Sequence, residues 1–162
     1  FCYIEDMGWG KELRRCLKDG TYLSDQFINA TVELITERWN PDPFPNIVSY
    51  IEKKDPKIDS LLKNFCERLS YQLGKDLSIK NLSKVKVSGK KSPMKEMENS
   101  YHKCANVFGK FIFEENLNGN VNNILLVDDF VNSGWTFTCA GIALKKIEKI
   151  GHVYPFSLGM VE

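Results

Sequence analysis

Residues 123–138 constrain this chain more than any other passage. They hold an apolar run at 124–127, two carboxylates (Asp128 and Asp129), a short turn of small and hydroxylated residues, and then a stretch with helical spacing. A short apolar run bounded by polar residues predicts a buried strand, and the change of period after the turn predicts a helix over 137–150, ended by Gly151. A strand that hands over to a helix in this way belongs in an α/β sheet. Ionised carboxylates accept hydrogen bonds and attract cations, so Asp128 and Asp129 suit a sugar diol or a hydrated metal. Ser133, Gly134 and Thr136 sit where loop N–H groups and a helix N-terminus converge, which suits a phosphate. The plainer alternative is that both aspartates close Asx turns, while Ser133 and Thr136 only cap the helix.

The rest of the chain supplies the other parts of such a sheet. Glycine-containing clusters at 5–11 and 18–21 predict turns. Ser24 predicts the N-cap of a helix through residue 39, with Phe27, Ile28, Leu34 and Ile35 as its apolar stripe and Pro41, Pro43 and Pro45 ending it. Residues 47–51 predict a first central strand. Asp59 predicts the cap of a second helix, with Leu61, Leu62, Phe65, Leu69 and Leu73 on one face and Gly74 as its stop. A short strand is expected toward residue 87, a long loop over 88–106, a strand over 107–113, a polar turn over 114–122 and a last strand over 153–160. This order predicts an α/β fold, a mostly parallel twisted sheet with helices on both faces. Residues 1–45 are expected to form an N-terminal segment with one helix packing on a core of residues 46–162. Ligands of such sheets bind beyond the carboxyl ends of the strands, where Asp128, Asp129 and the loops 52–58 and 88–97 would meet.

Composition removes several function classes. A formal net charge of +1 gives no global field to recruit nucleic acid. No apolar run approaches the roughly 20 residues of a membrane span, so no membrane partner is expected. The five cysteines are scattered, without a Cys-x-x-Cys pair, so reduced thiols and a cytoplasmic location are expected rather than a zinc site or a disulfide framework. His102 and His152 stand apart from any triad or metal spacing. The start at Phe1, without Met, reads as a piece of a larger protein.

The junction resembles the ribose-5-phosphate-binding motif of type I phosphoribosyltransferases, in which a hydrophobic strand and two acidic residues precede Thr-Thr-Gly-any-Thr. Here the loop reads Asn132, Ser133, Gly134, Trp135 and Thr136. The resemblance implies a type I phosphoribosyltransferase-like fold. It also implies that Asp128 and Asp129 hold the ribose 2′- and 3′-hydroxyls and that loop 132–136 holds the 5′-phosphate. Trp135 stands where the family has a small residue; a loop that binds through backbone N–H can point its indole outward, whereas an indole pointing into the site would block it. The plain reading of Lys84, Lys86, Lys90, Lys91 and Lys95 is a solvated lysine face; leading to Asn106-Val107-Phe108-Gly109-Lys110-Phe111, the same stretch resembles the flexible loop of ComF-type phosphoribosyltransferases. Lys53 and Lys54 follow the first strand where that family has its pyrophosphate loop, here without the family's Gly and Arg. These likenesses imply a diphosphate contacted by Lys53, Lys54, Lys90 and Lys91.

A narrower likeness runs from Asp6-Met7-Gly8-Trp9-Gly10, through 95–100 and Asn106, to Trp135-Thr136 and Tyr154-Pro155-Phe156. It resembles the phosphoribosyltransferase-like domain at the C-terminus of bacterial RecQ-type DNA helicases. It implies an ATP-dependent helicase parent and DNA as a partner through that parent, although no Gly-x-x-x-x-Gly-Lys-Ser/Thr motor motif occurs in these residues. Two functions follow as expectations. One is an enzyme that binds 5-phosphoribosyl 1-diphosphate with magnesium (Mg2+), the metal taking no ligand directly from the protein and no residue being assigned as catalytic. The other is a non-catalytic regulatory or nucleic-acid-binding module.

Overall fold

A computed structural model describes residues 1–77, 81–87, 109–113 and 122–161. Its strands are β1 (Cys2–Tyr3), β2 (Ile47–Ile51), β3 (Asn81–Val87), β4 (Phe111–Phe113), β5 (Asn122–Val131) and β6 (Ile150–Met160). The α-helices are α1 (Trp9–Asp19), α2 (Asp25–Glu33), α3 (Pro56–Leu77) and α4 (Trp135–Lys145), and a π-helical segment, Leu34–Trp39, continues α2. The strands form one sheet in the order β1-β6-β5-β2-β3-β4. All neighbours are parallel except β3 and β4.

Alternation along the central strands builds two apolar layers. Val48, Tyr50, Leu125, Val127, Phe156 and Leu158 pack under α1, α2 and α3. Ile47, Ile51, Val85, Phe111, Ile124 and Leu126 pack under Cys139, Ala140 and Leu144 of α4. The fold is thus α/β, a mostly parallel sheet with helices on both faces. Burial on both faces is why β2 and the first half of β5 are nearly continuous apolar runs.

Several elements depart from the sequence expectations, each for a local reason. Residues 9–19 form a helix that takes in the end of the first expected turn, 5–11, because Leu13 and Cys16 bury one face of it; Gly20, at φ 70°, is its left-handed stop, within the second expected turn at 18–21. Ser24 caps α2 as expected, its hydroxyl accepting from Phe27 N at 3.2 Å. The second helix starts earlier than expected, at Pro56, and Gly74 does not stop it, since α3 runs on to Leu77. Helix α4 ends at Lys145 rather than 150, and Ile150 already begins β6 opposite Asn122. Gly151 therefore lies in a strand. The expected loop over 88–106, with Lys90, Lys91, Lys95 and Asn106, lies outside the described residues. So do 107–108 of the expected strand and 114–121 of the polar turn. No described helix is long and apolar enough to cross a membrane.

Candidate functional site

Parallel pairing of β2 with β5 sets the site. Tyr50 lies level with Val127, so the chain leaving β2 passes beside the next residues of β5, Asp128 and Asp129. The aspartates do not end their own strand as expected. Strand β5 continues to Val131 because β6 stays paired with it, at Asp128–Ser157, Phe130–Gly159 and Val131–Met160. They lie at the carboxyl edge only with respect to β2, which stops at Ile51.

Both carboxylates are buried, at 2% exposure for Asp128 and 8% for Asp129. Lys53 Nζ reaches both, 2.5 Å from Asp128 Oδ1 and 2.5 Å from Asp129 Oδ1. The same oxygens also accept from the backbone, Asp128 Oδ1 from Asp129 N at 3.0 Å and Asp129 Oδ1 from Phe130 N at 2.8 Å. These bonds go to the next residue inside a continuing strand, so they close no Asx turn, which would need the N–H two residues on; the ion pair is one that the sequence did not reveal. Burial pushes the Asp128 carboxyl up to about 7; Lys53 pulls against that rise and Asp129 adds to it. For Lys53, burial works to lower the ammonium's pKa, but the two carboxylates outweigh it and hold the pKa above its ordinary value. The cluster therefore keeps its cation.

The loop after β2 is tied down on both sides. Glu52 N donates to Val85 O at 3.0 Å, and Glu52 Oε2 accepts from Val87 N at 3.3 Å. Lys53 N donates to Asp59 Oδ1 at 2.9 Å. Asp59, expected as a helix cap, instead sits inside the first turn of α3 and anchors this loop, while Asp55 Oδ1 accepts from Lys57 N at 2.9 Å. Lys54 is exposed.

Beyond β5 the chain turns through Asn132 and Ser133, both exposed, to Gly134 at φ 73° and ψ −7°. No side chain caps the first turn of α4. Thr138 instead donates both N (3.0 Å) and Oγ1 (3.1 Å) to Gly134 O. Ser133 and Thr136 therefore are not the caps that the plainer reading made them. Trp135 does not point outward: it is half-buried against the apolar layer beneath α4. Its indole packs into the core while its backbone begins the helix. Thr136 is half-buried beside it. The arrangement combines a buried acidic pair and an internal cation beside the carboxyl end of β2 with a helix N-terminus, without a side-chain cap, beyond the carboxyl end of β5. Of two surface cavities of about 400 Å³, one lies between α4 and β6 and runs from Phe137 and Thr138 in the first turn of α4 to Lys145 and His152 (410 Å³), and the other lies beside the π-helical segment near Glu37 and Gln72 (390 Å³).

No protein-family model matches the chain, and no curated protein matches it significantly. Solved structures with a similar outline include a purine phosphoribosyltransferase from Pyrococcus horikoshii, at 18% identity and TM-score 0.49 over 86% of this chain and 76% of that one. A hypoxanthine phosphoribosyltransferase from Staphylococcus aureus matches at 13% identity and TM-score 0.45, over 83% of this chain and 64% of that one. A hypoxanthine phosphoribosyl transferase from Trypanosoma cruzi matches at 12% identity and TM-score 0.44, over 91% and 64%.

Proposed function

We propose that this chain is a phosphoribosyltransferase-like domain that binds 5-phosphoribosyl 1-diphosphate, or a related ribose-5-phosphate ligand, at the β5–α4 junction. The observation that carries the reading is the buried Asp128–Asp129 pair, set on the same sheet edge as an α4 N-terminus without a side-chain cap. In this reading the carboxylates accept from the ribose 2′- and 3′-hydroxyls. Backbone N–H groups of loop 132–136 hold the 5′-phosphate, which needs no particular side chain at Trp135. Lys53 and Lys54 face the diphosphate, joined by Lys90 and Lys91. Magnesium would be carried on the diphosphate, where it neutralises the leaving group; the acidic pair already has a counter-ion in Lys53. Transfer to a nitrogen nucleophile passes through an oxocarbenium-like state, so the protein's work is positioning and electrostatics. The test is calorimetric titration with phosphoribosyl diphosphate and magnesium, then a pyrophosphate-release assay over candidate bases. Absence of binding rejects the reading.

A second reading, a non-catalytic module, is favoured by the loop after β2. It lacks the glycine that lets backbone approach a diphosphate closely, and Asp59 and Val85 already engage its N–H groups. Binding without pyrophosphate release is its signature. The likeness of 6–10 and 154–156 to the helicase-borne domain would make such a module a sensor attached to a DNA motor. That form is tested by single-stranded DNA binding, with affinity falling steeply as salt rises.

A further inference from the structure

We infer that Lys53 is an internal plug of the ribose site, exchanged for ligand only when the ligand brings its own anion to replace the carboxylates that Lys53 gives up. This rests on the site proposed above. Its basis is geometric. The ammonium sits 2.5 Å from both Asp128 Oδ1 and Asp129 Oδ1, and its side chain, at 22% exposure, reaches the pair from the rim. A diol needs the lone pairs that the ammonium now occupies. Lysine is a compact charge on a flexible stem and can swing away without rebuilding the backbone, which Asp59 holds through Lys53 N.

The exchange has a built-in selectivity. A ligand with a diol but no anionic group near Lys53 displaces a partly buried cation and leaves it unpaired, which is strongly unfavourable. A ligand with a diphosphate on the carbon next to the diol supplies a new partner at the moment of displacement. The site therefore discriminates for diol and diphosphate together over the 5-phosphate sugar alone. While plugged, it also resists a free divalent cation, because the ammonium already neutralises part of the pair's charge.

The test compares the wild-type chain with Lys53→Met, which keeps the stem and removes the charge; Lys63→Met on the exposed face of α3 is the control. Lys53→Gln substitutes if the Met variant does not fold. Calorimetry measures ribose 5-phosphate and phosphoribosyl diphosphate, and electron paramagnetic resonance measures Mn2+ without ligand. Wild type and Lys63→Met are expected to prefer phosphoribosyl diphosphate. In Lys53→Met that preference should fall by about tenfold or more, mainly because ribose 5-phosphate binds more tightly once no cation is left unpaired, and Mn2+ binding should appear. If Lys53→Met keeps the preference and gains no Mn2+ binding, the plug is overturned while the site stands. If wild type binds neither sugar phosphate, the site itself is rejected, and the plug with it.

Discussion

Asp128 is nearly inaccessible, and burial pushes its carboxyl up to about 7 against the pull of Lys53. The sign of the consequence is fixed. A carboxyl whose folded value lies above its unfolded value of 3.8 holds an extra proton in the folded chain between those limits, so stability falls as pH rises from about 4 to about 7. Asp128→Asn removes that dependence. Urea unfolding at pH about 5 and about 7.5 should show wild type losing more stability at the higher pH than the variant does. Ligand binding has the opposite sense, because a diol donates best to the ionised carboxylate; affinity should rise with pH through about 7. Asp128→Asn and Asp129→Asn should each weaken phosphoribosyl ligands by roughly ten- to a hundredfold. Inorganic phosphate should bind unchanged or better, since a repelling charge is gone. Unchanged sugar-phosphate affinity in both variants would leave the pair only its ion pair with Lys53 and its local bonds to Asp129 N and Phe130 N within β5. The pair was legible in the sequence because strand, acid and turn are contiguous. Its cation was not, because Lys53 meets it across two strands, through a register that no local pattern encodes.

The same division between contiguous and distant causes holds for the elements. Strand β2 and the Ser24 cap are written locally, in a β-branched run and a capping hydroxyl, and both fall where expected. Helix α1 was missed because Gly8 and Gly10 read as turn residues. Gly10 is in fact buried in the first turn of that helix, where an added Cβ would meet Tyr3 O and, at 2.8 Å, Ile4 O. The signal that could have revealed the helix is the Leu13–Cys16–Leu17 spacing. Gly134 is a different case: an added Cβ would meet nothing within 4 Å, but φ 73° is a left-handed backbone that only glycine adopts freely. Two outcomes follow. Gly134→Ala should cost about 1–2 kcal/mol through backbone strain alone and weaken phosphate binding at the α4 N-terminus. Gly10→Ala should cost up to about 3 kcal/mol, because rigid backbone carbonyls cannot give way and β1 must separate from α1. Urea unfolding of both variants, with sulfate titrations of the folded proteins, measures each effect; equal sulfate loss in both would dissociate the binding change from the α4 turn.

Composition and element order made the α/β architecture legible for the whole molecule, but not how far the N-terminal part enters the core. The sequence suggested a segment of residues 1–45 packed on a core of 46–162. In the folded chain β1 pairs with the end of β6, Glu12 Oε1 accepts from Ser24 N at 2.7 Å, and Arg68 of α3 is bonded to Leu23 O and Asp25 Oδ1, each at 2.5 Å. Leu13, Leu23, Phe27, Ile28 and Ile35 are each at most 3% exposed and share one cluster with Phe65, Val127, Phe156 and Leu158. Burying five such side chains contributes on the order of 10 kcal/mol as an upper estimate, comparable to the entire stability of an ordinary domain, about 5–15 kcal/mol. A chain beginning at residue 46 should therefore not fold cooperatively. It should bind a hydrophobic dye and lack near-ultraviolet circular dichroism, and adding a peptide of residues 1–45 in trans should restore part of both signals. If 46–162 alone unfolds with a sharp two-state transition, the N-terminal segment is an accessory, and the carboxyl-edge site would have to be stable on the remaining layers.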